Sequence, residues 1–401
     1  MVKQSRSFFG RFLRALRNLI LVLVLLGLTI FFFVVGKWVD RDKNVRLRDS
    51  SEPIVVSKRA KRLHPKIAVA DWHSDNLLWD RDPLTKLDHG HVDIPRLIEG
   101  NFAIQVFDAV IKVPQGMNYE SNTDKTDQIK LLSLANRWPV ASWFGLTERA
   151  LHQSRVLHDA ADESSDLVII KTRGDLEYFM KQWYTNGGMI GGVLSIEGLH
   201  AMEGKMENLH VLIEAGYRVL GLVHFFDNEI GGSSAGVAQG GLTDLGRQVV
   251  RIMNEESIII DLAHASEQLI DEVLQISSKP VVVSHTGVKG IHNSPRNLSD
   301  RQLKAIAEKG GMIGLGFWEE ASGGQSVNDI ARAIRYTADL IGVAHVSLGS
   351  DFDGAVTIPF DAAQIILLTD ALMTVGFSDE EIIQIMGGNQ IRFLMENLPV
   401  N

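Results

Sequence analysis

The chain has 401 residues, of which 45% are hydrophobic and 22% charged, a mix that folds around a core and excludes a disordered, collagen-like or low-complexity protein. It has no cysteine, which rules out disulfides, thiolate metal sites and a cysteine nucleophile, so any metal must be held by His, Asp and Glu. The net charge of −9 is uneven: residues 66–401 hold 26 basic and 45 acidic groups, a poor surface for phosphate, and no nucleic-acid partner is expected.

Residues 1–18 form a basic tail with Lys3, Arg6, Arg11, Arg14 and Arg17 and no acid. Leu19 to Gly36 is an uncharged apolar run, which as a helix would be about 27 Å long, close to the hydrocarbon thickness of a bilayer. Trp38 follows at the level where an indole suits the interface. Residues 19–36 are therefore read as an uncleaved transmembrane anchor, since no Ala-x-Ala cleavage site follows. Five basic groups lie close to each end of the run, so the positive-inside rule does not set its direction. Residues 37–65 alternate in charge without apolar periodicity and read as a juxtamembrane linker leading into one domain, 66–401.

From Lys66 onward, short runs rich in Val and Ile are expected as strands: 67–72, 102–110, 167–171, 192–196, 218–224, 257–263, 280–284, 312–317 and 345–349. Helical patterns lie between most of them, as at 242–255, 266–276, 299–309 and 327–341. Strand and helix in alternation indicate an α/β fold with a parallel sheet. Nine strands is one too many for a (β/α)8 barrel and leaves an open doubly wound sheet in play. Ionisable residues at the C-terminal ends of the runs favour the barrel, where such folds build their sites.

His73 and Asp75 end the first run two residues apart, facing one way on an extended segment. Taken alone, His-x-Asp is as often a surface turn. Glu197 follows five residues of buried-strand character and needs a partner. His264 and His285 end two consecutive strand patterns, and adjacent parallel strands lie close enough for both to hold one metal. His224 and Asp351 end two more runs. One rim carrying all seven could hold two divalent ions with a bridging carboxylate. Zinc is the expected ion, and manganese, iron or cobalt would also suit the donors. Such a pair would make hydroxide available near neutral pH and polarise a carbonyl.

These fragments resemble the zinc-dependent membrane dipeptidases, the renal-dipeptidase-like metallopeptidases. The likeness spans most of 66–392 and includes Asp71-Trp-His-Ser-Asp75, His91-Val-Asp-Ile-Pro-Arg-Leu97, Ser195-Ile-Glu-Gly198, Ile260-Asp-Leu-Ala-His264, Ser284-His285-Thr, Pro295-Arg-Asn-Leu-Ser-Asp300, Gly349-Ser-Asp-Phe-Asp-Gly354 and Gly387-Gly-Asn389. The resemblance implies a metal-dependent-hydrolase (β/α)8 barrel with 167–171 as an accessory strand, which puts His264 on strand five, His285 on six and Asp351 on eight. It also implies that His73 and Asp75 bind one zinc and His264 and His285 the other, with Glu197 bridging. His224 and Arg296 match the family's substrate-binding histidine and arginine, and Asp351 its catalytic aspartate, so that Asp351, His224 and Glu197 carry the catalysis. Two positions depart from the pattern, Phe225 beside His224 and the segment Leu315-Gly-Phe-Trp318, and both bear on the shape of the pocket.

The expectation is a membrane-anchored binuclear-zinc dipeptidase that attacks the peptide bond through a metal-bridging hydroxide. Its catalytic domain would lie outside the cytoplasm, on the periplasmic face if the source is Gram-negative. The expected partners are a dipeptide and, through 19–36, the lipid bilayer, with a homodimer left open. Two rivals differ in class. One is a metal-dependent amidohydrolase acting on another amide, lactone or ester, many of which bridge their metals with a carbamylated lysine where this chain offers Glu197. The other is a catalytically silent membrane-anchored binding protein, whose metal set should be eroded and here is not.

Overall fold

The computed structural model describes residues 2–49 and 52–400. Eight parallel strands form a closed barrel: β1 (Val69–Ser74), β2 (Phe102–Val110), β3 (Ile190–Glu197), β4 (Tyr217–Gly221), β5 (Ile259–Asp261), β6 (Val282–Thr286), β7 (Met312–Leu315) and β8 (Val346–Leu348). Each pairs with the next, and Leu348 of β8 pairs with Asp71 of β1 to shut the ring. The accessory strand Leu167–Ile169 pairs with β3 at Ile190–Gly192, on the edge that β4 takes higher up at Leu194–Glu197. It therefore adds a ninth strand without entering the ring. All nine apolar runs are strands, and the (β/α)8 reading holds.

The strands are buried along their whole length apart from single half-exposed positions, as expected where helices cover the outside of a parallel sheet. The helices begin where hydroxyl caps allow. Thr243, Ser266, Ser299 and Ser326 each accept a backbone N–H three residues on, starting helices at Asp244, Glu267, Asp300 and Val327. Phe393, on the last helix Asn389–Asn397, packs edge-on against Trp72 of β1 at 5.6 Å and ties the C-terminus to the barrel.

Before the barrel, Val2 to Lys43 is one helical rod, with a single π-turn at Phe31–Val35. Its apolar side chains from Leu19 to Ile30 and at Phe33 and Val34 are exposed. Among the described residues it is the one helix long and apolar enough to cross a membrane, by length and composition. The helix runs beyond Gly36 and into the stretch read as a linker. Residues 37–49 are also not loosely tethered: Asp40 and Asn44 are buried, and Val45–Arg46 forms a parallel ladder with Thr357–Ile358. Three of the charges there, Asp40, Arg41 and Arg46, pair with Arg81, Asp88 and Asp361 of the barrel domain rather than facing solvent alone.

Candidate metal centre

Seven of the eight residues singled out in the sequence meet at the C-terminal mouth of the barrel around one carboxylate, and the eighth, Arg296, lies behind His285. Glu197 closes β3 and is followed by Gly198, whose φ of +96° suits a residue without a Cβ. Its Oε1 lies 2.9 Å from His264 Nε2, 3.3 Å from His285 Nε2 and 3.9 Å from His73 Nε2. Its Oε2 lies 2.9 Å from His224 Nε2. His73 Nε2 sits 3.2 Å from Asp75 Oδ1 and 3.8 Å from Asp351 Oδ1. The ring nitrogens of His264 and His285 face each other at 3.1 Å.

These atoms fall into three overlapping triads: His73–Asp75–Glu197, Glu197–His224–His264 and His73–His285–Asp351. In each, the donor atoms lie within 4.8 Å of one another. His73 Nε2 and Asp75 Oδ1, 3.2 Å apart, are both buried, and neither makes a hydrogen bond of good geometry. Buried polar atoms without partners are costly, and imidazole and carboxylate donors aimed at one point are what a divalent ion recruits. The donor set fits a metal centre, and one carboxylate shared by two triads fits more than one ion.

Electrostatics support this. Burial, reinforced by Arg296, holds His264 well below its ordinary pKa, and burial with His73 does the same for His285. Both are then neutral imidazoles, the form that ligates metals. Burial works to raise Glu197, but His224 and His264 outweigh it and keep the carboxylate ionised. His73 differs: burial opposes a charge on it, yet Asp75 and Asp108 prevail and raise it, so this ring must give up its proton to bind an ion. Ser284 Oγ meets His285 Nδ1 at 2.9 Å and so aims Nε2 into the site, the orienting contact that metal-binding histidines need.

His264 and Asp351 share a further feature. Both have a left-handed backbone, with φ of 63° and 60°. For non-glycine residues this costs about 1–3 kcal/mol and persists where the surroundings over-determine it, as at functional sites. Asp351 is 8% exposed. Burial raises its carboxyl, Asp75 and Glu197 add like charge, and together they outweigh His73 and Arg296, so it lies well above the usual carboxylate range.

Arg296 is buried, and its Nη2 donates to the carbonyl of His285 at 2.8 Å. Among the described residues it forms no ion pair at salt-bridge distance, although Glu197, Asp351 and Tyr119 surround it electrostatically. A buried guanidinium without a carboxylate is a binding group for an anion. The two departures flanking the site are both aromatic walls. Phe225 packs against His224 at 4.5 Å, His264 at 4.9 Å and Tyr119 at 6.1 Å between ring centroids, and Trp318 lies 5.9 Å from His285.

Sequence reasoning passed over Asp108 and Tyr119. Asp108 Oδ2 lies 3.5 Å from His73 Nδ1 and accepts a hydrogen bond from Ser195 Oγ. Its signal was present, a carboxylate near the end of the apolar run Phe102–Val110, the same signal that marked Glu197. Tyr119 comes from a loop with no pattern to announce it.

Residues 57–398 match the family model described as membrane dipeptidase, peptidase family M19. A dipeptidase of Aspergillus oryzae, aclJ, is 28% identical over 360 residues, covering 82% of this chain and 78% of its own. The dipeptidase verJ of Clonostachys rogersoniana is 27% identical, over 84% and 86% of the two chains. Among solved structures, a metallopeptidase of Rhodobacter sphaeroides liganded with a phosphinate mimic of L-Ala-D-Ala superposes with a TM-score of 0.66 at 26% identity, covering 83% of this chain and 99% of that one. The probable dipeptidase PvdM of Pseudomonas aeruginosa, at 20% identity and a TM-score of 0.71 over 85% and 98%, shares the fold.

Proposed function

The chain belongs to the membrane dipeptidase family and is a metal-dependent dipeptidase, and from that premise we propose that it is a membrane-anchored binuclear-zinc enzyme whose centre is bridged by Glu197. The observation that carries this is the convergence of His73, His224, His264 and His285 on the single carboxylate of Glu197. His73 and Asp75 would hold one ion, His264 and His285 the other. Bound there, the ions would supply Lewis acidity for the scissile carbonyl and acidify a water near neutral pH.

The chain's own groups do the rest. Arg296 takes the free carboxylate of the dipeptide, its planar fork matching two oxygens. His224 donates to the oxygen that becomes negative as the carbonyl carbon turns tetrahedral. Asp351 takes the proton of the attacking water and returns it to the leaving amine, a role suited to a carboxyl whose proton affinity burial has raised. Phe225, Tyr119 and Trp318 narrow the mouth and favour a short substrate.

The reading is tested with the full chain in detergent against L,L- and L,D-dipeptides and their C-terminal amides. Free dipeptides should be cleaved and the amides should not. Equal turnover of both would remove Arg296 from carboxylate recognition. Arg296→Lys should raise KM for dipeptides about tenfold or more with metal content unchanged, because lysine keeps the charge and loses the bidentate geometry. An unchanged KM would place the substrate carboxylate elsewhere.

For location, we propose that 19–36 spans the bilayer, with residues 1–18 cytoplasmic and the barrel outside. The exposed apolar flank of the helix supports a lipid environment. Alkaline phosphatase fused after residue 401 should be active and green fluorescent protein dark; the reverse pattern would invert the topology.

A further inference from the structure

The C-terminal end of the apolar helix meets the barrel at its catalytic mouth. Gly36 approaches so closely that a Cβ there would lie 1.8 Å from Asn136 Oδ1. Val39 packs beside Leu78, Trp79, Val110 and Trp138. One turn on, the buried carboxylate of Asp40 accepts hydrogen bonds from Arg81 Nε at 2.8 Å and from Arg81 Nη2. The remaining Arg81 Nη1 donates to Asp353, two residues beyond Asp351.

The segment that follows grips the same loop. Asn44 Oδ1 accepts from the backbone N–H of Ala355 at 3.0 Å. Val45 N–H donates to the Val356 carbonyl at 3.2 Å, and Leu47 N–H to that of Ile358 at 3.0 Å. Arg46 pairs with the buried Asp361 at 2.6 Å. Within that loop Asp351, Asp353 and Ala355 all hold left-handed backbones, φ 60°, 63° and 59°. Three such residues in five persist only under outside restraint. The barrel supplies part of it, since Trp79 Nε1 donates to the Asp353 carbonyl at 2.8 Å and the His91 N–H to the Asp353 carboxylate at 2.7 Å. Residues 36–47 add to it through Asp40 on Arg81, Asn44 on Ala355 and the Val45–Leu47 backbone bonds.

We propose that residues 36–47 are a positioning element for the catalytic loop, with Asp40 the positioning residue that holds Asp351 in place through Arg81 and Asp353. This rests on Asp351 serving dipeptide hydrolysis. The helix end is then part of the enzyme as well as its tether, and removing it costs turnover as well as location.

The test uses the full chain in detergent, comparing Asp40→Asn, Asn44→Ala and, as control, Arg41→Gln, which breaks only an exposed pair with Asp88. Asp40→Asn and Asn44→Ala should each lower kcat about five- to fiftyfold with KM within about twofold, because small displacements of a reacting group are costly. Bound metal should stay at the parent level, and Arg41→Gln should match the parent. A purely structural role would lower the amount of folded protein and leave the kcat of that fraction untouched. A folded Asp40→Asn chain with parental kcat, or a loss that follows metal content, overturns the proposal. If Asp40→Asn does not fold, Asn44→Ala decides by the same criterion. A parent inactive on every dipeptide overturns the hydrolytic site and this coupling together; an active parent with unaltered variants overturns the coupling alone.

Discussion

Glu197→Gln is expected to remove nearly all dipeptidase activity and to weaken binding of both ions. Glutamine keeps the volume, so the buried end of β3 retains its packing. It loses the negative charge, however, and replaces one acceptor oxygen with an NH2 that points its protons at His224 or His264, which now lie 2.9 Å from the carboxylate. An amide is a poor bridge between cations, and the four histidines lose the one carboxylate they share. A fall in kcat/KM on the order of a thousandfold or more is expected, the scale for losing a group whose charge acts in the transition state. Steady-state kinetics with metal analysis on the same preparation checks it. Two tightly held ions with near-normal turnover would show that Glu197 does not bridge.

Asp351→Asn should behave differently. Asparagine tolerates the left-handed backbone that this position requires, so no conformational cost accompanies the change. What disappears is the ability to take and return a proton, worth about 10²- to 10⁴-fold in kcat. KM and metal content should stay near parental values. A variant that turns over normally would show that proton transfer passes through another group. One that loses metal would make Asp351 a ligand, as its membership of the His73–His285–Asp351 triad allows.

The barrel was legible in the sequence because its strands are buried on both faces and read as apolar runs rich in Val and Ile, with β4 to β7 each followed by a helix that starts at a hydroxyl cap. Closure was not legible from periodicity. β2 and β3 are neighbours in the ring but are separated in sequence by three helices and the accessory strand Leu167–Ile169, which only the family resemblance set aside. The site was readable where histidines end strands, since that position projects side chains into the mouth. Asp108 escaped because the apolar run around it looked like core. The docking of 37–49 escaped for another reason. Its contacts join Asp40 to Arg81, Asn44 to Ala355 and Arg46 to Asp361, pairings too distant along the chain to leave a periodic trace. In sequence such charges look like a solvated linker, and only the fold reveals their partners.

One experiment bears most directly on the binuclear mechanism. The full chain is stripped with chelator, and zinc is titrated back while hydrolysis of a simple L,L-dipeptide is followed. The stripped chain should be inactive, and activity should rise to a plateau that ends at two equivalents of zinc per chain. Activity that survives chelation, or a plateau complete at one equivalent, would contradict a centre in which Glu197 joins two ions.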